Sequence, residues 1–407
     1  MTSINQPLNR KLRMALVGGG GAGLIGRVHV LAASLDQRAE LVAGAFSSDP
    51  ARSRLAAEAF GIAGQHGYDS YQDLIESAAR LSADQRPDFI TIATPNHTHF
   101  EIAQAALQAG FHVVCEKPLT NEFGQALQLA RLVEQTGAVF VVAHGYSGYP
   151  LLRQAREMIA AGELGRIHAV RITYIQGGLW GLHPGQTPAR GAWKADPAKA
   201  GPSGTMADIG THAFHLLRYT SGLTPQTISA TLANFHGVRP LDDYGHAVLR
   251  CTGGELATIS VSQVTHGRLN DLTLEVDGSR ASLAWRQENP DRLAVRRHGQ
   301  PVQVYERNRR TAYNDVVQAA CRLPGGHPEG VFEALANVYG DGFDAMIRRA
   351  SGQGVEGRQT IYPNVYDGVE GVYFVQLCLA SHGEQGSWMP WRPDEIPQNR
   401  EGTAEER

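Results

Sequence analysis

The sequence predicts an α/β fold over its first third, with a parallel sheet covered by helices on both faces, followed by an α+β fold. Three observations lead there. Strand-like and helix-like segments alternate from Lys11 to Gly145, the pattern of successive βα units. Six strand-like runs then follow from Arg166, with helical patterns set apart from them. At 407 residues the chain is also too long for one small core, so two domains are expected. The linker between them falls at "GYSGYP", residues 145–150. This gives a first domain over 1–148, a second over 149–385 and a polar tail over 386–407.

The elements follow in order. "KLRMALV" is a short apolar run that stops at glycine, the signal of a buried strand. "GRVHVLAASL" reads as a helix and "ELVAGAF" as a strand. "DPARSRLAAEAF" is a second helix, with Pro50 suited to its first turn. "DFITIATP" is a strand stopped by Pro95. "THFEIAQAALQAG" is a helix with a capping box formed by Thr98 and Glu101 and a terminal glycine. "FHVVCEKP" is a strand, "NEFGQALQLARLVEQTG" a helix and "VFVVAHG" a further strand. In the second half, "RIHAVRITYI", "TISATLANF", "HAVLRC", "LATISVSQV", "LTLEVDG" and "ASLAWR" are strand-like, and the separators "CTGGE" and "VDGSRA" resemble hairpins. Helical patterns cover 150–161, 208–220, 330–348 and 366–380.

Composition narrows the function. A formal net charge of −3 supplies no basic field for nucleic acid or an anionic membrane surface. No apolar run reaches the roughly 20 residues that span a bilayer, and "MTSINQPLNRK" lacks the apolar centre of a secretory signal. The four cysteines, at 115, 251, 321 and 378, show neither close pairing nor metal-ligand spacing, which reads as reduced thiols in a cytoplasmic protein. The last stretch, "RPDEIPQNREGTAEER", is polar and aperiodic, as a loose tail would be.

The first motif is "LVGGGGAGLIGRVH", Leu16 to His29, in which G-x-G-x-x-G can be read twice. One register uses Gly18, Gly20 and Gly23; the other uses Gly21, Gly23 and Gly26. The motif follows the first strand and opens a helix, the setting in which glycines let the backbone approach a dinucleotide pyrophosphate. In parallel sheets ligands bind beyond the carboxyl ends of the strands. "GGGGAG", "FSSDP", "TPNHTH", "EKPLT" and "HGYSGYP" all fall there. Leu24 and Ile25 belong to the same turn.

Three more motifs occur in order: "TPNHTH" (94–99), "CEKP" (115–118) and "DIGTHAFH" (208–215). Together with a fingerprint ending "GRVH", they resemble the Gfo/Idh/MocA family, the glucose–fructose oxidoreductase and inositol dehydrogenase relatives, as far as about residue 385. Members commonly read G-x-G-x-x-G-x-x-H, which fits Gly21, Gly23, Gly26 and His29 and leaves Gly18 to Gly20 as an extension of the turn. The resemblance implies a Rossmann domain and a second domain with an open, mostly antiparallel sheet used for oligomer contacts. A homo-oligomer, dimer or tetramer, is expected through that sheet.

The chemistry then has named candidates. Moving hydride from an alcohol carbon to nicotinamide leaves a proton on oxygen, which an imidazole with an ordinary pKa of about 6.5 can take. Asp208, His212 and His215 lie at i, i+4 and i+7, on one helical face. His212 is the expected proton acceptor and Asp208 orients it or the substrate; the family pattern places its catalytic pair on these positions. His215 is the substitute base, or a residue that packs within the domain. Lys117, held extended by Pro118, is the cation for the reacting oxygen, the role it has in the family; Glu116 precedes it. In the resemblance, Thr94, Pro95, Asn96, His97 and His99 border the nicotinamide, and His99 is equally a helix-start packing residue. Two histidines at i, i+2 without a third ligand do not make a metal site.

Other residues serve binding. An acid usually ends the second Rossmann strand of NAD enzymes; here Ser47 and Ser48 stand there, with Asp49 later as an acid or a helix cap. Arg52 could meet a 2′-phosphate. The set leans slightly toward NADP and leaves NAD open. The Gly- and Pro-rich segment 176–207 is expected to wall the substrate pocket. In it Trp180 and Trp193 either face a sugar ring or pack an oligomer interface, and Lys194, Arg190 or His183 bond hydroxyls. Tyr146 and Tyr149 lie near the crevice or pack at the domain boundary, and His266 could reach the pocket from a sheet edge. The reading is an NAD(P)-dependent oxidoreductase acting on a sugar, cyclitol or polyol. The alternatives are a dinucleotide sensor without turnover and a cofactor-retaining elimination or bond cleavage.

Overall fold

The computed structural model describes residues 5–6, 8–20, 24–62, 64–182, 191–352 and 360–392. Gly21, Gly23, His183 and Arg190, named above, lie outside them. The chain forms two compact units, one from Met1–Ala143 with Val338–Glu370, the other from His144–Asn337 with Gly371–Trp391. The return of 338–370 to the first unit departs from a single second domain over 149–385. The segment 145–150 is also not an open linker. It forms a 3-10 turn, Gly145–Gly148, and then a helix opened by Pro150.

In the first unit, the described residues form a five-stranded sheet of order β2-β1-β3-β4-β5, parallel throughout. Its strands are β1 (Leu12–Gly18), β2 (Ala39–Ala45), β3 (Phe89–Ala93), β4 (His112–Cys115) and β5 (Phe140–Val142). β3 is buried at every position, FITIA, as a strand covered on both faces must be. The helices between the strands are α1 (Ile25–Ser34), α2 (Pro50–Ala59), α3 (Tyr71–Ala79), α4 (His99–Gln108) and α5 (Phe123–Thr136). α5 ends at Gly137 in the left-handed conformation that glycine takes readily. α3 escaped the sequence reading, although Ser70 caps it by accepting from the Asp73 N–H. The capping box at α4 does not form. A 3-10 turn, Asn96–Thr98, precedes the helix, and the Thr98 hydroxyl donates instead to Thr94 Oγ1 and the Pro95 carbonyl.

The second unit contains a nine-stranded sheet. Its core is the six expected strands: β6 (Ile167–Ile175), β7 (Pro225–Ala233), β8 (Tyr244–Cys251), β9 (Leu256–Ser262), β10 (Asp271–Gly278) and β11 (Ser282–Arg286). Three edge strands extend it: β12 (Arg292–Arg296), β13 (Gln303–Glu306) and β14 (Met389–Pro390). The order is β13-β12-β11-β10-β6-β9-β8-β7-β14, antiparallel except where β6 meets β9. Along β8 buried residues alternate with exposed or half-buried ones, the mark of a sheet with one covered and one open face. α6 (Pro150–Ala160), α7 (Pro197–Ala200), α8 (Thr211–Ser221) and α9 (Asp315–Ala320) belong to this unit. α10 (Val331–Ala350) and α11 (Val365–Gly383) contribute residues to both.

Candidate functional site

The strand order of the first unit turns at β1 and β3, the switch point where a parallel sheet opens a crevice beyond its carboxyl ends. β1 ends there at Gly18, paired with Ala93. Gly18 and Gly19 have φ of +83° and +73°. A Cβ on Gly18 would lie 2.5 Å from the Ala93 carbonyl oxygen, on Gly20 2.6 Å from that of Phe46, and on Gly26 2.4 Å from that of Gly19. The turn therefore uses glycines of both possible registers: Gly18 and Gly20 shape it, and Gly26 seats α1 against Gly19. α1 begins without a side-chain cap, its N-cap position being Leu24. Ile25 and Leu24 are both exposed. A backbone turn that excludes side chains, placed before an uncapped helix start, fits a pyrophosphate.

Beyond β2, Asp49 caps α2 by accepting from the Ala51 and Arg52 N–H groups, and Ser47 Oγ accepts from the Asp49 N–H. Ser48 and Arg52 are exposed. Among the described residues a cleft of about 420 Å³ between α1 and α2 is lined by Gly19, Arg27, Leu31, Arg52, Leu55 and Phe60.

The loops after β3 and β4 are tied together. His99 is fully buried, with Nδ1 2.9 Å from the Pro118 carbonyl oxygen and Nε2 3.0 Å from that of Thr94. Burial holds its pKa below the ordinary value, although both carbonyls favour the charged ring. His99 thus braces two loops. Asn96 beside it is buried. His29, from the end of the fingerprint, places Nε2 2.9 Å from Glu116 Oε1 and Nδ1 2.8 Å from the Tyr339 hydroxyl. The other Glu116 oxygen accepts from the Lys117 N–H at 3.1 Å. Burial pushes the Glu116 carboxyl up, but the hydrogen bond from His29 and the charges of His29 and Lys117 outweigh it and hold it low. The half-buried Lys117 is followed by a cis bond to Pro118.

In the second unit the "DIGTHAFH" segment does not start as an α-helix. Met206–Gly210 is a π-helical turn, and α8 takes over at Thr211. The even face expected for Asp208, His212 and His215 is therefore broken after Asp208. Asp208 Oδ2 accepts from Lys194 Nζ at 2.8 Å and from Gln263 Nε2 at 3.0 Å. Lys194, expected to bond substrate hydroxyls, thus directs its ammonium at this carboxylate, 5.8 Å above the Trp193 ring. The buried Arg239 donates to the Gln263 side-chain oxygen at 2.6 Å, which turns the amide nitrogen toward Asp208.

His212 and His215 do share a face, and both meet His144. His212 Nδ1 lies 3.3 Å from His144 Nδ1, and His215 stacks on His144 at 4.4 Å. Burial, with Arg156 and Arg218 nearby, lowers the His215 pKa to about 3. A ring that is 4 % exposed and this reluctant to protonate is a packing residue, which removes His215 as the substitute base. Tyr146 lies edge-on to His212 at 4.9 Å, and its hydroxyl is 2.5 Å from that of Tyr174. Tyr174 donates to Asn270 Oδ1, and Asn270 Nδ2 donates back to Tyr146, closing a ring of three hydrogen bonds. Burial and the adjacent Tyr146 hold the Tyr174 phenol well above its usual pKa, so it stays a neutral donor.

Tyr149 is buried against Trp285. Trp180 donates to the Val264 carbonyl and stacks on His266 at 4.4 Å, with His236 at 4.8 Å. The sequence reading missed His144, Tyr174, Asn270, Gln263 and Arg239. His144 and Tyr174 stand at the ends of strand-like runs in positions comparable to residues that were noticed. Gln263 and Arg239 carried no such signal. Among the described residues no group of three potential ligands could hold a metal ion, and no helix is long and apolar enough to cross a membrane. All four cysteines are buried and unbridged.

A glycine cradle at the switch point of a parallel sheet, with a second unit of antiparallel sheet and a histidine-bearing helix, is the arrangement of a two-domain dinucleotide-binding protein. Residues 12–144 match the oxidoreductase family with NAD-binding Rossmann fold, and 152–284 match the GFO/IDH/MocA C-terminal domain. The chain belongs to the Gfo/Idh/MocA oxidoreductase family. It is 31% identical over 388 residues to the uncharacterized oxidoreductase YfiI of Bacillus subtilis (strain 168), covering 95% of this chain and 98% of that protein. It is 29% identical over 318 residues to levoglucosan dehydrogenase of Pseudarthrobacter phenanthrenivorans, covering 70% and 76%. The crystal structure of an inositol dehydrogenase homolog from Azotobacter vinelandii, complexed with NADH and myo-inositol, matches with a TM-score of 0.86 and 36% identity, covering 94% of this chain and 98% of that one.

Proposed function

We propose that the enzyme transfers hydride between nicotinamide and a hydroxyl-bearing carbon of a sugar, cyclitol or related polyol. The observation that carries this is the setting of His212: a half-buried imidazole beside the closed hydrogen-bonded ring of Tyr146, Tyr174 and Asn270. Relatives named for levoglucosan and crystallised with myo-inositol support the substrate class. The turn at Gly18 to Gly20 and Gly26 would hold the dinucleotide, which would supply the hydride acceptor. His212 takes the hydroxyl proton as the C–H electron pair leaves, so the alcohol becomes a carbonyl. Lys117 donates to the substrate oxygen and stabilises its developing charge. Asp208, held by Lys194 and Gln263, orients the substrate, with Tyr146 beside it and Trp193 facing the apolar side of the sugar ring.

For the cofactor, Asp49 is engaged as a helix cap, and the half-buried Ser47 with the exposed Ser48 and Arg52 leans toward NADP while admitting NAD. The open face of the second unit's sheet pairs copies of the chain into a dimer or tetramer. Four unbridged thiols fit the reducing cytoplasm.

The test mixes the purified enzyme with NAD or NADP and a panel of sugars and cyclitols, following absorbance of the reduced nicotinamide. Lys117→Ala and His212→Ala should each lower kcat by at least about 100-fold with dinucleotide binding intact. Arg52→Ala should raise the KM for NADP and leave that for NAD unchanged. Full activity in His212→Ala would overturn the reading.

A further inference from the structure

The relation of His144 to His212 has no counterpart in the roles assigned above. The two Nδ1 atoms face each other at 3.3 Å. In such a pair one nitrogen must donate and the other accept, because two N–H groups or two lone pairs would repel. A single proton therefore occupies the gap, and its position decides which nitrogen of His212 carries a lone pair outward.

His144 is placed firmly. It is 2 % exposed and lies flat on His215, with 6° between the rings. Its carbonyl accepts from Ser147 Oγ at 2.9 Å inside the 3-10 turn Gly145–Gly148. His215 stays neutral, so that face presents no charge to His144. Tyr146, edge-on to His212 at 78°, limits rotation of the second ring.

We propose that His144 is a positioning residue that accepts the Nδ1 proton of His212 and thereby keeps Nε2 of His212 as the proton-accepting atom. This rests on His212 as the acid–base group. In alcohol oxidation the substrate O–H proton bonds to His212 Nε2 as the hydride departs with the C–H electron pair. The resulting imidazolium donates a charge-assisted bond from Nδ1 to the neutral His144. The reverse sequence serves carbonyl reduction. Were His144 the donor instead, Nε2 of His212 would already hold a proton and could not take another.

Two substitutions separate this from a packing role. His144→Asn puts Oδ1 where Nδ1 stands and preserves an acceptor, at the loss of ring volume. His144→Phe preserves the ring and its stack on His215 and removes the acceptor. In the full-length protein, nitrogen NMR of labelled histidines, with His212→Ala to assign the signal, should show His212 as the Nδ1–H tautomer in the wild type and in His144→Asn. His144→Phe should shift it toward Nε2–H. With the best substrate of the panel, His144→Phe should lose about 100-fold in kcat with KM within about threefold, and His144→Asn should keep most of the rate.

An Nε2–H tautomer for His212 in the wild type, or His144→Phe outperforming His144→Asn, overturns the proposal. The wild-type tautomer decides even where a variant does not fold. If His212→Ala is inactive while His144→Phe is fully active, this inference fails and the acid–base reading stands. If His212→Ala is active, that reading fails first.

Discussion

His29 and Glu116, separated by 87 positions in the sequence, are joined at 2.9 Å. The ionised carboxylate only accepts, so His29 Nε2 donates to it, while Nδ1 shares a hydrogen bond with the Tyr339 hydroxyl. Thr91 in turn lies 3.1 Å from the Tyr339 hydroxyl. A hydrogen-bonded line of side chains thus runs from the middle of β3 to Glu116, which holds the backbone of Lys117.

Breaking that line should cost stability. His29→Ala leaves a largely buried carboxylate and a buried phenol without their partner. We expect a loss of about 1.5–3 kcal/mol, read as a lower urea midpoint at unchanged m-value. The folded carboxyl titrates below its unfolded value of about 4.3, so its contribution is complete above that pH and disappears as pH falls through the folded pKa. Glu116→Gln should remove this acid-sensitive part. An unaltered midpoint in His29→Ala would show that the line is not holding the loop.

Gly26→Ala should disable the dinucleotide turn. Its Cβ would need to sit 2.5 Å from Gly19 Cα as well as close to the Gly19 carbonyl, so α1 must move off the turn. NADH binding, followed by nicotinamide fluorescence, should weaken at least tenfold, about 1.4 kcal/mol. Gly64→Ala is the control, since a Cβ there meets nothing within 4 Å. Equal affinity in both variants would refute the close approach.

Histidines held neutral, the half-buried His112 and the buried His215, should make the protein acid-sensitive well above the carboxylate range. Burial lowers His112 to about 4 and His215 to about 3. The unfolded rings bind protons at about pH 6.5, so the unfolded state gains protons first. Stability is complete above that pH and falls as pH drops toward the folded values, by about 1.4 kcal/mol per pH unit for each ring. Denaturant titrations at pH 7, 6 and 5 should show the slope, and His215→Gln should reduce it by one ring's share. A slope unchanged by that substitution would mean His215 is not the neutral packing residue described.

The alternation of βα units was legible because burial on a sheet leaves a local record: short apolar runs, terminal glycines, prolines at helix starts. The glycine turn and the loops after each parallel strand were legible for the same reason. Asp49 as a cap could be read from its place before Pro50. The Thr98–Glu101 box could not be excluded locally, because the competing partners of Thr98 exist only once the loop has folded back on itself. The break in helical phase at Asp208 was hidden too, since a π turn has the same composition as an α turn.

What lay in the chain alone was the family, the sheet of the first unit and the residue types of the chemistry, all carried by neighbours a few positions apart. What required the folded protein was partnership. His29 meets Tyr339 across 310 positions and His144 meets His212 across 68. Asp208 is held by Lys194 and Gln263, and His215 is kept neutral. Such pairings depend on which side chains packing brings within about 3 Å, and no local periodicity encodes that distance.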